Sequence, residues 1–199
     1  MQLSEKILEF WFGQSDLTSG LKPRKVWFKS SSSFDQKIHI NFRHSHDDAL
    51  AGRLDNMAEN QKSCLALIIL LDQFPRNLFR ESPLAFRGDA KAQKLSYYAI
   101  SQRFDENIDS IAKLFFYLPL EHSENIDDQK QSLKLINAIN GKRINKAATE
   151  HYNVIKRFGR FPHRNAALGR KSTPEELIYL TNPPAWQNSS NHPNKLKNK

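Results

Sequence analysis

The chain has 199 residues, 39% hydrophobic and 26% charged, enough for one ordinary domain with a full core. A single cysteine excludes an internal disulfide, and no apolar run approaches the roughly 18 residues that a membrane-spanning helix needs. The net charge of +9 raises nucleic acid as a partner, but the charge is scattered and no zinc-finger, helix-turn-helix or RNA-recognition signature occurs, so specific recognition is not expected.

In chain order, Ser4 is placed to cap a first helix over residues 5–12, with Ile7, Leu8, Phe10 and Trp11 on its apolar side and Gly13 as its stop. Glu5 and Glu9 among these residues are unlike a signal peptide, so a reducing, cytoplasmic setting is expected. Val26-Trp27-Phe28 reads as a short anchor on the core, and the serines at 30–33 as a loop. Apolar residues then recur at Phe34, Ile38, Phe42, Ala49 and Leu50, the spacing of an amphipathic helix, with a break near His44 before Gly52. His44 and His46 lack apolar context and read as a solvated turn rather than metal ligands.

Residues 64–71 form an unbroken apolar run, Cys64-Leu-Ala-Leu-Ile-Ile-Leu-Leu71, followed by Asp72, Gln73, Pro75, Arg76 and Asn77. A helix that is apolar all round is buried all round, so this run is the expected centre of the core. Ser63 is its expected cap and Pro75 its end. Cys64, inside the run, reads as a small buried hydrophobe rather than a nucleophile. Ser82-Pro83 starts a turn, and Asp89 is placed to cap a helix near residues 90–102. A third apolar block covers residues 114–118 and is stopped by Pro119. Asn125 or Asp127 opens a further helix with Leu133, Leu135, Ile136 and Ile139 inward and Gly141 at its end, and another covers about 146–158, closed by Gly159. Thr173-Pro174-Glu175-Glu176 is a capping box with proline in the preferred first position. Residues 181–199, polar and proline-rich with three lysines and no acid, read as a disordered basic tail after a single helical domain over residues 1–180. With no strand alternation and no Asn-Gly hairpin, the whole reads as all-α, about eight helices with short connections. Phe74-Pro-Arg-Asn77 and Phe161-Pro-His-Arg-Asn165 echo each other, a hint of paired helical hairpins.

Polar residues gather just past the apolar anchors. If helix continues from Leu120, Glu121, Glu124 and Asp128 share a face, beside His122. Arg157, Arg160 and Arg164 recur at spacings of three and four, near His151 and His163. One reading is purely structural: Asp72, Glu121, Glu124 and Asp128 pair with Arg76, Arg157, Arg160 and Arg164 to hold helix ends together. A site is favoured by the variety of the set, because His122, His151, His163, Tyr117, Gln73, Asn77 and Asn165 exceed what ion pairing needs. The expected pocket is semi-buried, built from Asp72, Gln73, Arg76, Asn77, Glu121, His122, Glu124, His151, Arg160, His163, Arg164 and Asn165. Its arginines suit a small anionic or zwitterionic ligand or an acidic peptide. The alternative is a small hydrolase or lyase with His122 or His163 as general base, Glu121 or Glu124 orienting it. No metal-ligand spacing, Gly-rich phosphate loop, nucleophile elbow or dinucleotide fingerprint occurs, so neither metal nor cofactor is expected.

The stretches Ile7-Leu-Glu-Phe-Trp-Phe12, Leu67-Ile-Ile-Leu-Leu-Asp-Gln-Phe-Pro-Arg-Asn77, Phe115-Phe-Tyr-Leu-Pro-Leu-Glu-His-Ser-Glu124, and Arg157-Phe-Gly-Arg-Phe-Pro-His-Arg-Asn165 with the Leu168-Gly-Arg segment that leads to Glu176 resemble the bacterial "domain of unknown function nine-two-four" family. The resemblance runs from Leu3 to Leu180. It implies an all-helical, tetratricopeptide-like array of helical hairpins and supplies no reaction. A peptide partner is the natural version of the binding hypothesis on such a scaffold.

Overall fold

Residues 63–73 are the axis of the molecule: each of them is buried, as an all-round apolar helix requires. The computed structural model describes residues 1–27, 31–139 and 142–188, so Phe28 and Ser30, the expected stop at Gly141, and the tail beyond 188 lie outside the described residues. Among the described residues there is no strand. The helices are α1 (Leu3–Phe12), α2 (Ser32–Leu50), α3 (Gln61–Ile68), α4 (Phe74–Leu78), α5 (Asp89–Ser101), α6 (Ser110–Glu121), α7 (Ile126–Asn137), α8 (Lys142–Phe158), α9 (Pro174–Thr181) and α10 (Ala185–Asn188). Eight of them have eight residues or more, the expected number, and together they make one domain. α1, α5 and α6 pack on α3, and α5, α6, α7 and α8 pack each on the next through short connections, a series of helical hairpins. Fully burying each large apolar side chain of the axis contributes about 1.5–3 kcal/mol. An aromatic cluster seals one end: Trp11 packs edge-on to Phe115 and Phe74 and stacks on Trp27, and Phe10 stacks on Phe34.

The axis does not stop at Pro75 as expected. α3 opens into one π-helical turn, Ile69–Gln73, and then continues as α4. Proline has no N–H for the carbonyl four residues back, and its ring would collide with that carbonyl in a regular helix. The wider turn relieves both problems. The Phe74 N–H reaches back five residues to Ile69 O. Leu70 O, left over by that shift, accepts from His46 Nδ1 at 2.8 Å. Leu71 O, which has no proline N–H to accept, lies against the backbone of Gly88, where a Cβ would stand only 2.2 Å away. Gly88 is therefore dictated by close approach and not by its φ.

Other boundaries also move. Gln2, not Ser4, caps α1 in a capping box with Glu5, and Gly13 closes it in the left-handed conformation as expected. α2 is continuous through His44, and Ser31 caps it, so Ser32 and Ser33 are helical rather than loop. His44 is exposed, but His46 is 1% exposed, its Nδ1 donating to the carbonyl that the π turn offers, and burial lowers its pKa against the opposing pull of that bond. Asn60 caps α3 in place of Ser63. Pro119 lies inside α6, not at its end: every residue from Leu114 to Glu121 is buried, and that packing offsets the roughly 3 kcal/mol an interior proline costs. Asn125 caps α7, and Thr173 and Glu176 form the expected capping box around Pro174. Residues 181–188, expected as tail, instead complete α9 and fold back as α10, with Trp186 against α8. A tryptophan is too large an apolar group to leave in water when a hydrophobic surface is near. Among the described residues no helix is long and apolar enough to cross a membrane.

Candidate functional site

The π turn delivers Asp72 to the ends of three other elements. Its carboxylate is 0% exposed and accepts from His122 Nδ1 at 2.8 and 3.0 Å, from Arg76 Nη2 at 3.0 Å and from Gln73 Nε2 at 2.5 Å. Arg76 Nη2 also donates to Asp89 at 3.0 Å. Asp89 takes Arg164 Nη1 at 3.3 Å, and Arg164 Nη2 donates to the carbonyl of His122 at 2.9 Å. The circuit closes on itself: Asp72, Arg76, Asp89, Arg164, His122 and back to Asp72. Asp89 was expected as a cap. It is instead the first residue of α5, aimed at two guanidinium groups by Gly88, the glycine pressed on Leu71 O. The Arg164 guanidinium lies 4.7 Å from the Phe86 ring centroid and 4.6 Å from that of Phe161.

Neutral titratable groups adjoin this circuit. Glu121 Oε1 is 3.4 Å from His151 Nδ1, but His151 donates that hydrogen to Ala147 O at 2.8 Å. The two do not form an ion pair at neutral pH. Burial pushes the His151 pKa down to about 3, and burial, with the charge of Asp72 added, pushes Glu121 up to about 8. His163 is held well below the ordinary histidine range by burial and by Arg164. His122 is lowered by burial and Arg76 against the opposing pull of Asp72. Burial alone would raise Asp72, but His122 and Arg76 outweigh it and hold the carboxylate ionised. Burial and Arg76 lower Arg164 to about 10, still charged at pH 7. At neutral pH the ionised Asp72 carboxylate thus lies between His122 and Arg76, with a protonated Glu121 and neutral His151 and His163 beside it.

The hydrogen bonding does not close as neatly as the charge. Among the described residues, the buried Arg76 Nε, Arg164 Nε, His163 Nδ1 and Trp186 Nε1 have no partner. All belong to this one region: Trp186 stacks on His151 at 3.6 Å and meets the His163 ring edge-on at 5.5 Å, and both arginines lie over Phe86. A buried polar group left unpaired costs about 1–3 kcal/mol. Arg76 and His122, with side chains 24% and 17% exposed, reach solvent, as do the partly buried His163 and Trp186.

The remaining expected site residues lie elsewhere. Glu124, Arg160 and Asn165 belong to a neighbouring latch. Arg170 grips Glu124 with both arms at 2.7 and 2.9 Å, and Glu124 also accepts from the Phe161 N–H at 2.8 Å. Arg160 grips Glu176 at 2.6 and 2.8 Å, and Asn165 bridges Glu176, Ser172 and Arg170. Asn77 bonds Asp35 on α2 at 2.7 Å. Glu121, Glu124 and Asp128 do not share a helix face: α6 ends at Glu121 and α7 begins at Ile126, so Asp128 serves Tyr97 and Ser123. Arg157 pairs with Glu175. Of the ion pairs anticipated from sequence, Asp72–Arg76 forms, and the other three arginines take different acids. Sequence reasoning missed Asp89, Phe86 and Trp186. A tryptophan stranded in an otherwise polar tail was the available signal for the last.

A family model described as "Bacterial protein of unknown function (DUF924)" matches residues 7–184. A solved structure of a protein of unknown function from Agrobacterium tumefaciens is similar with a TM-score of 0.82 and 37% identity, over 89% of this chain and 96% of that one. The comparison with curated proteins finds no match. The chain belongs to the DUF924 family.

Proposed function

We propose that this family member binds a small anion, a carboxylate or phosphate group, at the Arg76–Arg164 circuit. The observation that carries the reading is the gathering of buried hydrogen-bond donors without acceptors, Arg76 Nε, Arg164 Nε and Trp186 Nε1, together with His163 Nδ1, beside two guanidinium groups. Fixed donors around paired arginines are the chemistry that recognises planar or tetrahedral anions. The partly exposed faces of Arg76 and His122 are the point of entry in this reading. The anion is free, or is the carboxylate of a peptide. The buried free thiol of Cys64 suits a reducing, cytoplasmic setting. Titration calorimetry with acetate and phosphate tests the proposal: saturable binding weakened at least tenfold in Arg76→Ala supports it, and no heat from either anion at millimolar concentration overturns it.

A second reading uses the same geometry for proton transfer. Asp72 bonds His122 through Nδ1, which orients the ring and leaves Nε2 to accept a proton, as in a general-base dyad. Glu121, protonated at neutral pH, supplies an acid next to it. Two acids whose environments separate their proton affinities, Asp72 low and Glu121 high, support this reading. Turnover of generic ester, phosphate or amide substrates, lost in His122→Ala, is the result it requires.

A further inference from the structure

Trp186 reaches the donor cluster from an unusual direction. It sits on the four-residue α10, just after Pro183 and Pro184, and packs on the small satellite core of Val154, Ile155 and Phe161 rather than on the central axis. Three rings box its indole: His151 lies face to face at 3.6 Å, Phe161 edge-on at 6.0 Å and His163 edge-on at 5.5 Å. The fit is good in shape and poor in hydrogen bonding. Trp186 Nε1 and Gln187 Oε1 are both buried and, among the described residues, both unpartnered. A buried indole ordinarily finds an acceptor for its N–H, and among the described residues Trp186 shares this exception with Trp11 of the central core. The same box touches the anion donors, because Phe161 also carries the Arg164 guanidinium 4.6 Å from its ring centroid.

We infer that Trp186 is an intramolecular plug in an aromatic slot, and that the anion of the proposed function carries an aromatic ring that displaces it. The ligand class is an aryl carboxylate. Its ring enters between His151 and His163, and its carboxylate meets Arg164 and the free His163 Nδ1. Proline-led and four residues long, with the Gln187 Nε2 bond to Tyr179 Oη at 2.7 Å as its side-chain anchor, α10 is the part of the site placed to move. The inference rests on the anion-binding reading and adds the ligand's second half.

The test uses the full chain, wild type and Trp186→Ala, titrated with acetate and phenylacetate by calorimetry. The expected result is phenylacetate binding at least tenfold tighter in Trp186→Ala than in wild type, with acetate equal in the two. In wild type, phenylacetate should also increase acrylamide quenching of tryptophan fluorescence as Trp186 leaves its box. That second readout stands even if Trp186→Ala does not fold: phenylacetate bound with quenching unchanged overturns the plug. Acetate binding with phenylacetate no tighter in the variant overturns the aromatic slot and leaves the anion reading standing. No binding of either carboxylate to either protein overturns both.

Discussion

Two charged networks lie side by side in this protein, built from the same residue types, and they differ in how completely they are satisfied. In the latch, Arg170 and Arg160 each grip a carboxylate with two parallel bonds, Asn165 fills the space between, and among the described residues no buried polar atom of these five groups lacks a partner. Glu176 does double service there, closing the capping box of α9 and holding Arg160, and its pKa falls to about 2 chiefly through that arginine. In the Asp72–Asp89 circuit the charges balance, but Arg76 and Arg164 keep a donor each, and Glu121 is held protonated. Ion pairing that only holds helix ends together has no use for leftover donors and a displaced titration. In the binding reading proposed above, the contrast separates a structural use of Arg–carboxylate chemistry from one that keeps donors for a ligand.

The sharpest break would come at Asp89. Asp89→Ala removes the carboxylate shared by the buried Arg164 and the partly buried Arg76 and should cost about 3–5 kcal/mol in urea unfolding. A loss no larger than that from a latch variant would end the distinction between the networks. Next in size is Gly88→Ala, whose Cβ would meet Leu71 O at 2.2 Å. Overpacking of this kind should cost about 3 kcal/mol and misplace Asp89, with Arg76→Ala in the Gly88→Ala background costing less than it does alone.

A smaller effect separates the networks by pH. Glu121 has a folded pKa raised to about 8 from an ordinary 4.5, so its stabilising effect is complete below about pH 4.5 and is lost as pH rises through 8. His151, lowered to about 3, runs the other way and acts only below its ordinary 6.5. Between pH 6.5 and 9 Glu121 therefore stands out, and the wild type should lose on the order of 2 kcal/mol over that interval. Glu121→Gln should flatten the profile in thermal melts, whereas Glu124→Gln should leave its slope unchanged. Glu176→Gln in the latch should cost about 1–2 kcal/mol, the size of a lost cap and one charge-assisted pair. Smallest is Arg157→Ala: its pair with Glu175 is more than half exposed on both sides, and the change should stay below about 1 kcal/mol.

Much of this protein was readable from local pattern. An apolar run with no polar side can only be buried, so residues 64–71 named the axis of the fold without any three-dimensional information. Thr173-Pro174-Glu175-Glu176 named its helix start because a capping box is complete within four residues. Asp72, Arg76, Glu121, His122, His151, His163 and Arg164 were identifiable as polar groups at the ends of apolar elements, and they do meet. What failed were the rules about where prolines stop helices. Pro75 and Pro119 both lie within continuing helical chain, because burial and a π turn compensate for what proline removes locally.

The partners of these residues were decided by tertiary structure alone. Asp89 looked like a cap, since its neighbours along the chain offer nothing else. It binds Arg76 and Arg164 because Gly88 lets α5 press onto the Leu71 carbonyl, four residues before Pro75. Glu124 and Glu121, three positions apart, were expected on one face and were separated into latch and circuit by the turn between α6 and α7. Trp186 read as tail until His151 on α8, about 35 positions earlier in the chain, gave it a surface. Local sequence determines which groups must be buried and where helices start. Which acid meets which arginine, and which donor is left without an acceptor, depends on contacts between residues far apart in the chain, and these exist only once the helices have packed.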